Sequence, residues 1–218
     1  MEVATVGAIT EGEDVTLLAE YYVPGLHVED RSIKVPLDWA GHEPGQGFDG
    51  ESIDLFYRVV TAPEHVHDDL PLLVFLQGGP GGAGPRMQSL DSEVWIKDAI
   101  KCFRIVLPDQ RGTGRSSAVD SHTMARFDNA RDQAAYLKHF LAGSIVRDFE
   151  HLRRTEFGGA QWVSLGQSYG GFLTLAYLSL YPQGLLASFT TGGIPYVAAD
   201  ADAVYRHTFP RKIGRASC

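Results

Sequence analysis

The sequence predicts an α/β fold in which a mostly parallel sheet carries helices on both faces. The first observation is that strand-like and helix-like segments alternate from about residue 52 to 194, a pattern typical of parallel sheets. The second is that two glycine-rich segments, 77–86 and 166–171, each follow an apolar run that reads as a strand. Ligands of open α/β sheets bind at the carboxyl ends of the strands, so we expect a site there.

Three strands are predicted before this alternation begins. They are short β-rich runs separated by turn residues or by a glycine-rich loop, and the third alternates apolar and polar residues. The loop, residues 38–50, holds four glycines and one proline. The predicted strands are Val15–Tyr22, His27–Leu37 and Ser52–Thr61.

The rest of the chain supplies the alternating elements. The run Leu70–Leu76 is apolar throughout, which is typical of a strand covered on both faces. In the predicted helix 145–157, apolar residues share one side, and we expect the charged ones to form a solvated face. The remaining predictions are helices at 94–101, 130–143 and 172–178, and strands at 103–107, 162–165 and 185–191.

The composition excludes several classes of protein. The 218 residues suffice for one substantial core, and the formal net charge of −8 argues against binding nucleic acid or an anionic membrane. We see neither a run of about 18 apolar residues for a membrane span nor a signal peptide, so we expect a cytoplasmic protein. The two cysteines cannot form a disulfide framework, and they do not have the spacing of metal ligands. Cys102 is expected to be a small buried residue.

The pattern Gly-x-Ser-x-Gly stands at Gly166, Ser168 and Gly170, between the predicted strand 162–165 and helix 172–178. A strand that turns into a helix within three residues forces the central serine into a strained conformation. Side chains at the two flanking positions would collide with the turn. The geometry exposes the hydroxyl and directs the amino end of the helix at the reacting centre. The pattern is short, so its context carries the prediction that Ser168 is a nucleophile.

The segment Gln77–Arg86 consists of Gly, Ala or Pro at eight of its ten positions. It lacks the lysine and hydroxyl residue of a phosphate-binding loop, but its bare backbone can bring amides close to a ligand. A glycine-rich loop after the third strand of a serine hydrolase holds one of two oxyanion-binding amides. The alternative is a flexible surface loop.

Asp109 and Arg111 follow the strand 103–107. They could act as acid and base, or they could equally form an ion pair that holds the loop. We favour the structural role, because the charges of the loop can satisfy each other and nearby backbone groups.

Three blocks together make the sequence resemble the prolyl aminopeptidases of the α/β-hydrolase superfamily. They are Leu76–Gly82 with Pro85 and Arg86, then Pro108–Ser116, then Gly166–Gly171. The resemblance covers roughly residues 28 to 210. At Gln77 many relatives have His, and we interpret Gln77 as the marker of a longer bacterial branch.

The resemblance implies that Ser168 attacks the carbonyl of the bond after an N-terminal proline. The backbone amides of Gly79 and Tyr169 would hold the oxyanion, and Gly78 and Gly81 would line the substrate site. The implied partner is a peptide with an N-terminal proline. No metal or organic cofactor is implied.

A serine nucleophile needs a histidine oriented by a carboxylate, and in this fold both follow the serine. The candidates after Ser168 are Asp200, Asp202 and His207. We reject them as a triad, since no strand signal follows Pro195, and the segment 200–207 resembles the start of the family's helical cap. The domain division is then 1–195 for the amino-terminal part of the hydrolase domain and 196–218 for the start of a cap. The chain is expected to be truncated before the last strands and inactive alone.

Two alternatives stay open. An esterase or another acyl hydrolase could use the same scaffold, because fold and elbow do not fix the substrate. A non-catalytic binding protein of α/β-hydrolase type would keep the pocket without the triad.

Overall fold

The computed structural model describes residues 15–193 and the single positions 202 and 206. The described part contains one seven-stranded sheet and five α-helices. The strands are β1 (Val15–Val23), β2 (Leu26–Pro36), β3 (Ser52–Thr61), β4 (Leu72–Leu76), β5 (Arg104–Pro108), β6 (Trp162–Gln167) and β7 (Leu185–Thr191). The helices are α1 (Val94–Ala99), α2 (Ser121–Ala125), α3 (Ala130–Leu137), α4 (Ala142–Glu156) and α5 (Tyr169–Leu180).

The sheet has the strand order β1-β2-β3-β5-β4-β6-β7. The strands β5, β4, β6 and β7 pair in parallel, whereas β1, β2 and β3 form an antiparallel ribbon that joins β5 through β3. Only β1 and β3 therefore run against the other five strands. The predicted mostly parallel sheet is confirmed, and the carboxyl ends of β4, β5 and β6 lie side by side.

Helices cover both faces of the sheet, as predicted. On one face, α4 and α5 pack against the side chains of Val74, Leu76 and Trp162. On the other, α1 packs through Ile96 against a core that includes Phe75. The alternation of β4 between the two cores explains why its run is apolar throughout.

The predicted helix 130–143 is shorter in the structure. It ends at Leu137, a 3₁₀ turn covers Lys138–Phe140, and α4 begins at Ala142. The Asn129 side chain caps α3 by accepting a hydrogen bond from the amide of Asp132. The short helix α2 was not predicted, although Asp120 caps it in the same way.

The prediction that the charged residues of α4 form a solvated face is wrong. Asp148 and Glu150 are completely buried and Arg153 nearly so. Other elements pack against the charged side of α4. Glu150 accepts a hydrogen bond from Tyr177 of α5, and Glu156 pairs with Arg31 of β2. The charged side chains of this helix therefore contact other parts of the protein instead of water.

The prediction that Cys102 is buried is also wrong. Cys102 is exposed, because it lies in the turn after α1, where its amide donates to the carbonyl of Ala99, and β5 begins only at Arg104. Cys218 lies outside the described residues. Among the helices that the structure describes, none is both long and apolar enough to cross a membrane.

Candidate active site

Ser168 lies between the end of β6 and the start of α5, at the carboxyl edge of the sheet. Its backbone has φ 55° and ψ −115°, and it is the one non-glycine residue with positive φ in the described part. A conformation of this kind costs about 1 to 3 kcal/mol and persists only where its surroundings enforce it. Here the Ser168 amide donates to the Thr191 carbonyl at 2.9 Å, and the Ser168 carbonyl accepts from the Gly171 amide at 2.9 Å.

The two glycines that flank Ser168 are required sterically. A Cβ atom at Gly166 would overlap the carbonyl oxygen of Gly170 and the hydroxyl of Thr174. A Cβ atom at Gly170 would overlap the carbonyl oxygen of Leu76 at the end of β4. The collision expected from the sequence therefore exists, and it involves both the turn itself and the neighbouring strand.

The glycine loop, residues 77–86, lies directly against this turn. A Cβ atom at Gly78 would stand 2.7 Å from the carbonyl oxygen of Gln167 and 3.0 Å from Cβ of Ser168. Gly78 is buried, whereas Gly79 and Gly81 are exposed and have φ values of 117° and 93°. Ser168 and the glycine loop thus meet at one edge of the sheet, as the motif positions predict.

Tyr169 is the first residue of α5, so its amide has no acceptor one turn earlier within the helix. The amino end of a helix also carries a partial positive charge that favours an anion. The Tyr169 ring stacks on Phe172 with centroids 5.8 Å apart, and burial raises the pKa of its hydroxyl. The roles of the Gly79 and Tyr169 amides as oxyanion donors stay predictions.

Asp109 lies behind the glycine loop and is completely buried. Its carboxylate accepts from the amides of Gly84 and Arg115, both at 2.7 Å, and from the guanidinium of Arg86 at 2.5 Å. These contacts agree with the favoured structural role, but the ion pair between Asp109 and Arg111 does not form, since Arg111 pairs with Asp148. Asp109 instead holds two loops together, and Arg111 turns away from it.

Arg111 points to the opposite side and is also buried. Its Nε and Nη2 atoms donate to the carboxylate of Asp148 on α4 at 2.6 and 2.5 Å. Its two Nη atoms also donate to backbone carbonyls, those of Pro36, Leu37 and His139. Asp148 further accepts from the indole of Trp39 at 2.9 Å.

Of the three candidate triad residues after Ser168, the structure describes one. Asp200 and His207 lie outside the described residues, while Asp202 is helical and exposed. Among earlier histidines, His27 contacts Glu20 at 2.8 Å and His65 contacts Asp68 at 2.6 Å. These two histidines therefore have carboxylate partners away from Ser168.

Sequence reasoning missed the two glutamines that hold the glycine loop. The Gln77 side chain bonds the Gly78 amide and the Ala83 carbonyl of its own loop, and Gln110 Nε2 donates to the Gln77 carbonyl at 2.5 Å. Both residues follow neighbouring strands, β4 and β5, at their carboxyl ends. That position was a usable signal, because such residues converge at one sheet edge.

Comparison with known proteins agrees with this geometry. The sequence model described as the alpha/beta hydrolase fold matches residues 71–214. The chain belongs to the α/β-hydrolase family. Within this family its sequence resembles the prolyl aminopeptidases, as the three motif blocks indicate.

Two curated relatives carry the name proline iminopeptidase. One, from Aeromonas sobria, is 44% identical over 191 residues, which are 88% of this chain and 43% of the relative. The other, aneH of Aspergillus aculeatus, is 32% identical over 204 residues, covering 84% of this chain and 43% of the relative. This α/β-hydrolase chain therefore spans less than half the length of these two relatives.

Proposed function

We propose that this chain is the nucleophile-bearing part of a serine hydrolase of the prolyl aminopeptidase type. The observation that carries the proposal is the positive-φ backbone of Ser168 at the junction of β6 and α5, with the glycine loop packed against it. An isolated serine in a surface turn needs neither feature. The identity of 44% to a proline iminopeptidase supports a substrate with an N-terminal proline.

The proposed reaction begins when Oγ of Ser168 attacks the carbonyl carbon after the N-terminal proline. A base takes the hydroxyl proton while the carbonyl oxygen becomes an oxyanion, to which the amides of Gly79 and Tyr169 donate. Each such donor contributes about 3 to 4 kcal/mol to the transition state. Collapse of the intermediate expels the amine of the remaining peptide, which takes the proton from the base.

This first half leaves proline esterified to Ser168. Water then attacks the ester while the base takes a proton from the water. The protonated base gives that proton to Oγ of Ser168 as the tetrahedral intermediate collapses and proline leaves. The two halves use the same oxyanion donors, so one arrangement of the glycine loop serves both.

We place the base and its carboxylate beyond residue 218, because in this fold both follow the serine and the segment 200–207 resembles the start of the helical cap. His27 and His65 are engaged elsewhere, and Asp202 is an exposed helical residue. Loss of the base from a serine triad lowers turnover by about a millionfold. Residues 1–218 alone are therefore expected to release almost no proline.

The test is release of an arylamine from proline arylamide by residues 1–218 and by a longer polypeptide from the same gene. We expect release by the longer polypeptide only, its loss in Ser168→Ala, and no release from the N-acetylated substrate. Turnover of an ester without the arylamide would favour the general acyl hydrolase. Substrate binding without turnover by the longer polypeptide would favour the non-catalytic binding protein.

A further inference from the structure

The glycine loop needs external bonds to keep one conformation. Five of its ten residues are glycine, whose backbone adopts many conformations at little cost. None of the helices or strands of the described part includes residues 77–86. The position of the Gly79 amide is therefore set by whatever holds the two ends of this loop.

The Gln77 side chain forms a brace within the loop by hydrogen bonding to two of the loop's backbone groups. Its side-chain oxygen accepts from the Gly78 amide at 2.8 Å, and its side-chain nitrogen donates to the Ala83 carbonyl at 3.0 Å. One amide group thus spans the four residues, 79–82, between Gly78 and Ala83. The Gln77 carbonyl is fixed in turn by Gln110, which follows the neighbouring strand β5.

The far end of the loop is anchored separately. The buried carboxylate of Asp109 accepts from the Gly84 amide at 2.7 Å, and Arg58 Nη1 donates to the Pro85 carbonyl at 3.3 Å. Gly84 fits tightly, since a Cβ atom there would stand 3.2 Å from both Asp109 Oδ1 and the Pro108 carbonyl oxygen. Gly79 lies within the segment that the Gln77 side chain spans, directly after Gly78.

We propose that Gln77 is a positioning residue that fixes the Gly79 amide relative to Ser168. It acts through the loop backbone, because its two side-chain bonds end on Gly78 and Ala83, and Gly78 packs against Ser168. The proposal rests on the proposed function, since only acyl transfer needs an oxyanion donor at Gly79. The brace requires a side chain with both an acceptor and a donor, which an amide provides.

The test compares Gln77→Met with wild type in the intact gene product. Methionine has a similar length but cannot donate. We expect kcat per active site to fall by about a hundredfold, the cost of a small misplacement of a reacting group. KM should change by less than about threefold, because the lost interaction acts in the transition state. Titration with a fluorophosphonate counts the active sites, so misfolded protein does not enter kcat.

Gln133→Met is the matched control. Gln133 is half-buried like Gln77, and its Nε2 donates to a backbone carbonyl at 3.1 Å, but that carbonyl belongs to Met124. This variant should keep wild-type kcat and KM. Amide hydrogen exchange in residues 77–86 should accelerate in Gln77→Met and stay unchanged in Gln133→Met.

An unchanged kcat in Gln77→Met, or an equal loss in Gln133→Met, would overturn the role of Gln77 and leave the proposed function intact. If wild type hydrolyses p-nitrophenyl acetate but not proline arylamide, the proposed substrate fails, and the same comparison on the ester still tests Gln77. If wild type hydrolyses neither, both proposals fail.

Discussion

Arg111 shows how a buried charge is accommodated at the scale of one residue. It is completely buried, as is its partner Asp148, and it donates to that carboxylate and to three backbone carbonyls. Burial of an ion pair costs several kcal/mol per ion, which only such a complete set of partners offsets. The bonds also fix the start of the 38–50 loop against α4.

Arg111→Met should therefore destabilise the fold by about 3 to 5 kcal/mol, because it leaves Asp148 buried without its cation. Arg115→Met, in the same loop, is the control. Arg115 is half exposed, and its partner Asp30 keeps a second arginine, Arg58, so we expect a loss of about 1 kcal/mol or less. Urea denaturation measures both values, and equal losses would contradict this account.

At the scale of the element, α4 is stabilised by charges that its neighbours satisfy. Glu150 is completely buried and accepts from Arg153, Arg154 and Tyr177. Burial alone would raise the pKa of Glu150, but the hydrogen bonds from Arg153, Tyr177 and Arg154 outweigh burial and lower it. At Glu156 the balance is reversed, and burial raises the pKa despite Arg31.

The lowered pKa of Glu150 predicts a pH dependence of stability. A carboxyl whose pKa is lowered by folding stabilises the protein above its unfolded value of about 4.3, and loses that contribution as the pH falls through the folded value. Glu150→Gln should thus cost about 3 kcal/mol at pH 7. The difference from wild type should shrink below pH of about 4.

Urea denaturation of both proteins at several pH values measures this difference. Comparison with the variant isolates Glu150 from Glu156, whose raised pKa acts in the opposite direction. Glu64→Gln, at an exposed position, should leave the unfolding free energy nearly unchanged. A cost of Glu150→Gln that is independent of pH would contradict the role given to its ionised form.

The same helix shows what the sequence could and could not predict. Hydrophobic period and motif position depend on local sequence, so the strands, the turn at Ser168 and the position of the glycine loop beside it were predictable. The burial of Asp148 and Glu150 was not, because their partners Arg111 and Tyr177 lie 37 and 27 residues away. Charged residues normally indicate solvent, and only the tertiary fold shows that α4 is enclosed on its polar side.

At the scale of the whole molecule, β7 is an edge of the described sheet. Its sequence, Leu185–Thr191, carries no charge, and Leu186 and Phe189 are 64% and 59% exposed. Uncharged apolar edge strands promote association with other chains, which natural proteins prevent with charges or a covering element. The described part of this chain has neither device at β7.

Residues 1–218 should therefore associate as their concentration rises, by pairing through β7. Replacing both Leu186 and Phe189 by Lys should reduce the association, since charges on an edge oppose pairing. Val94→Lys is the control, because Val94 is 82% exposed but begins helix α1. Analytical ultracentrifugation measures the association, and equal effects of the two changes would argue against the edge.

The most direct test of the account is labelling by a fluorophosphonate, with the modified residue mapped by mass spectrometry. We predict that a longer polypeptide from the same gene is labelled at Ser168, that Ser168→Ala is not labelled, and that residues 1–218 are labelled negligibly. Failure of the longer polypeptide to label would contradict the assignment of Ser168 as nucleophile. Labelling of residues 1–218 at Ser168 would contradict the placement of the base outside this chain and return attention to Asp202 and His207.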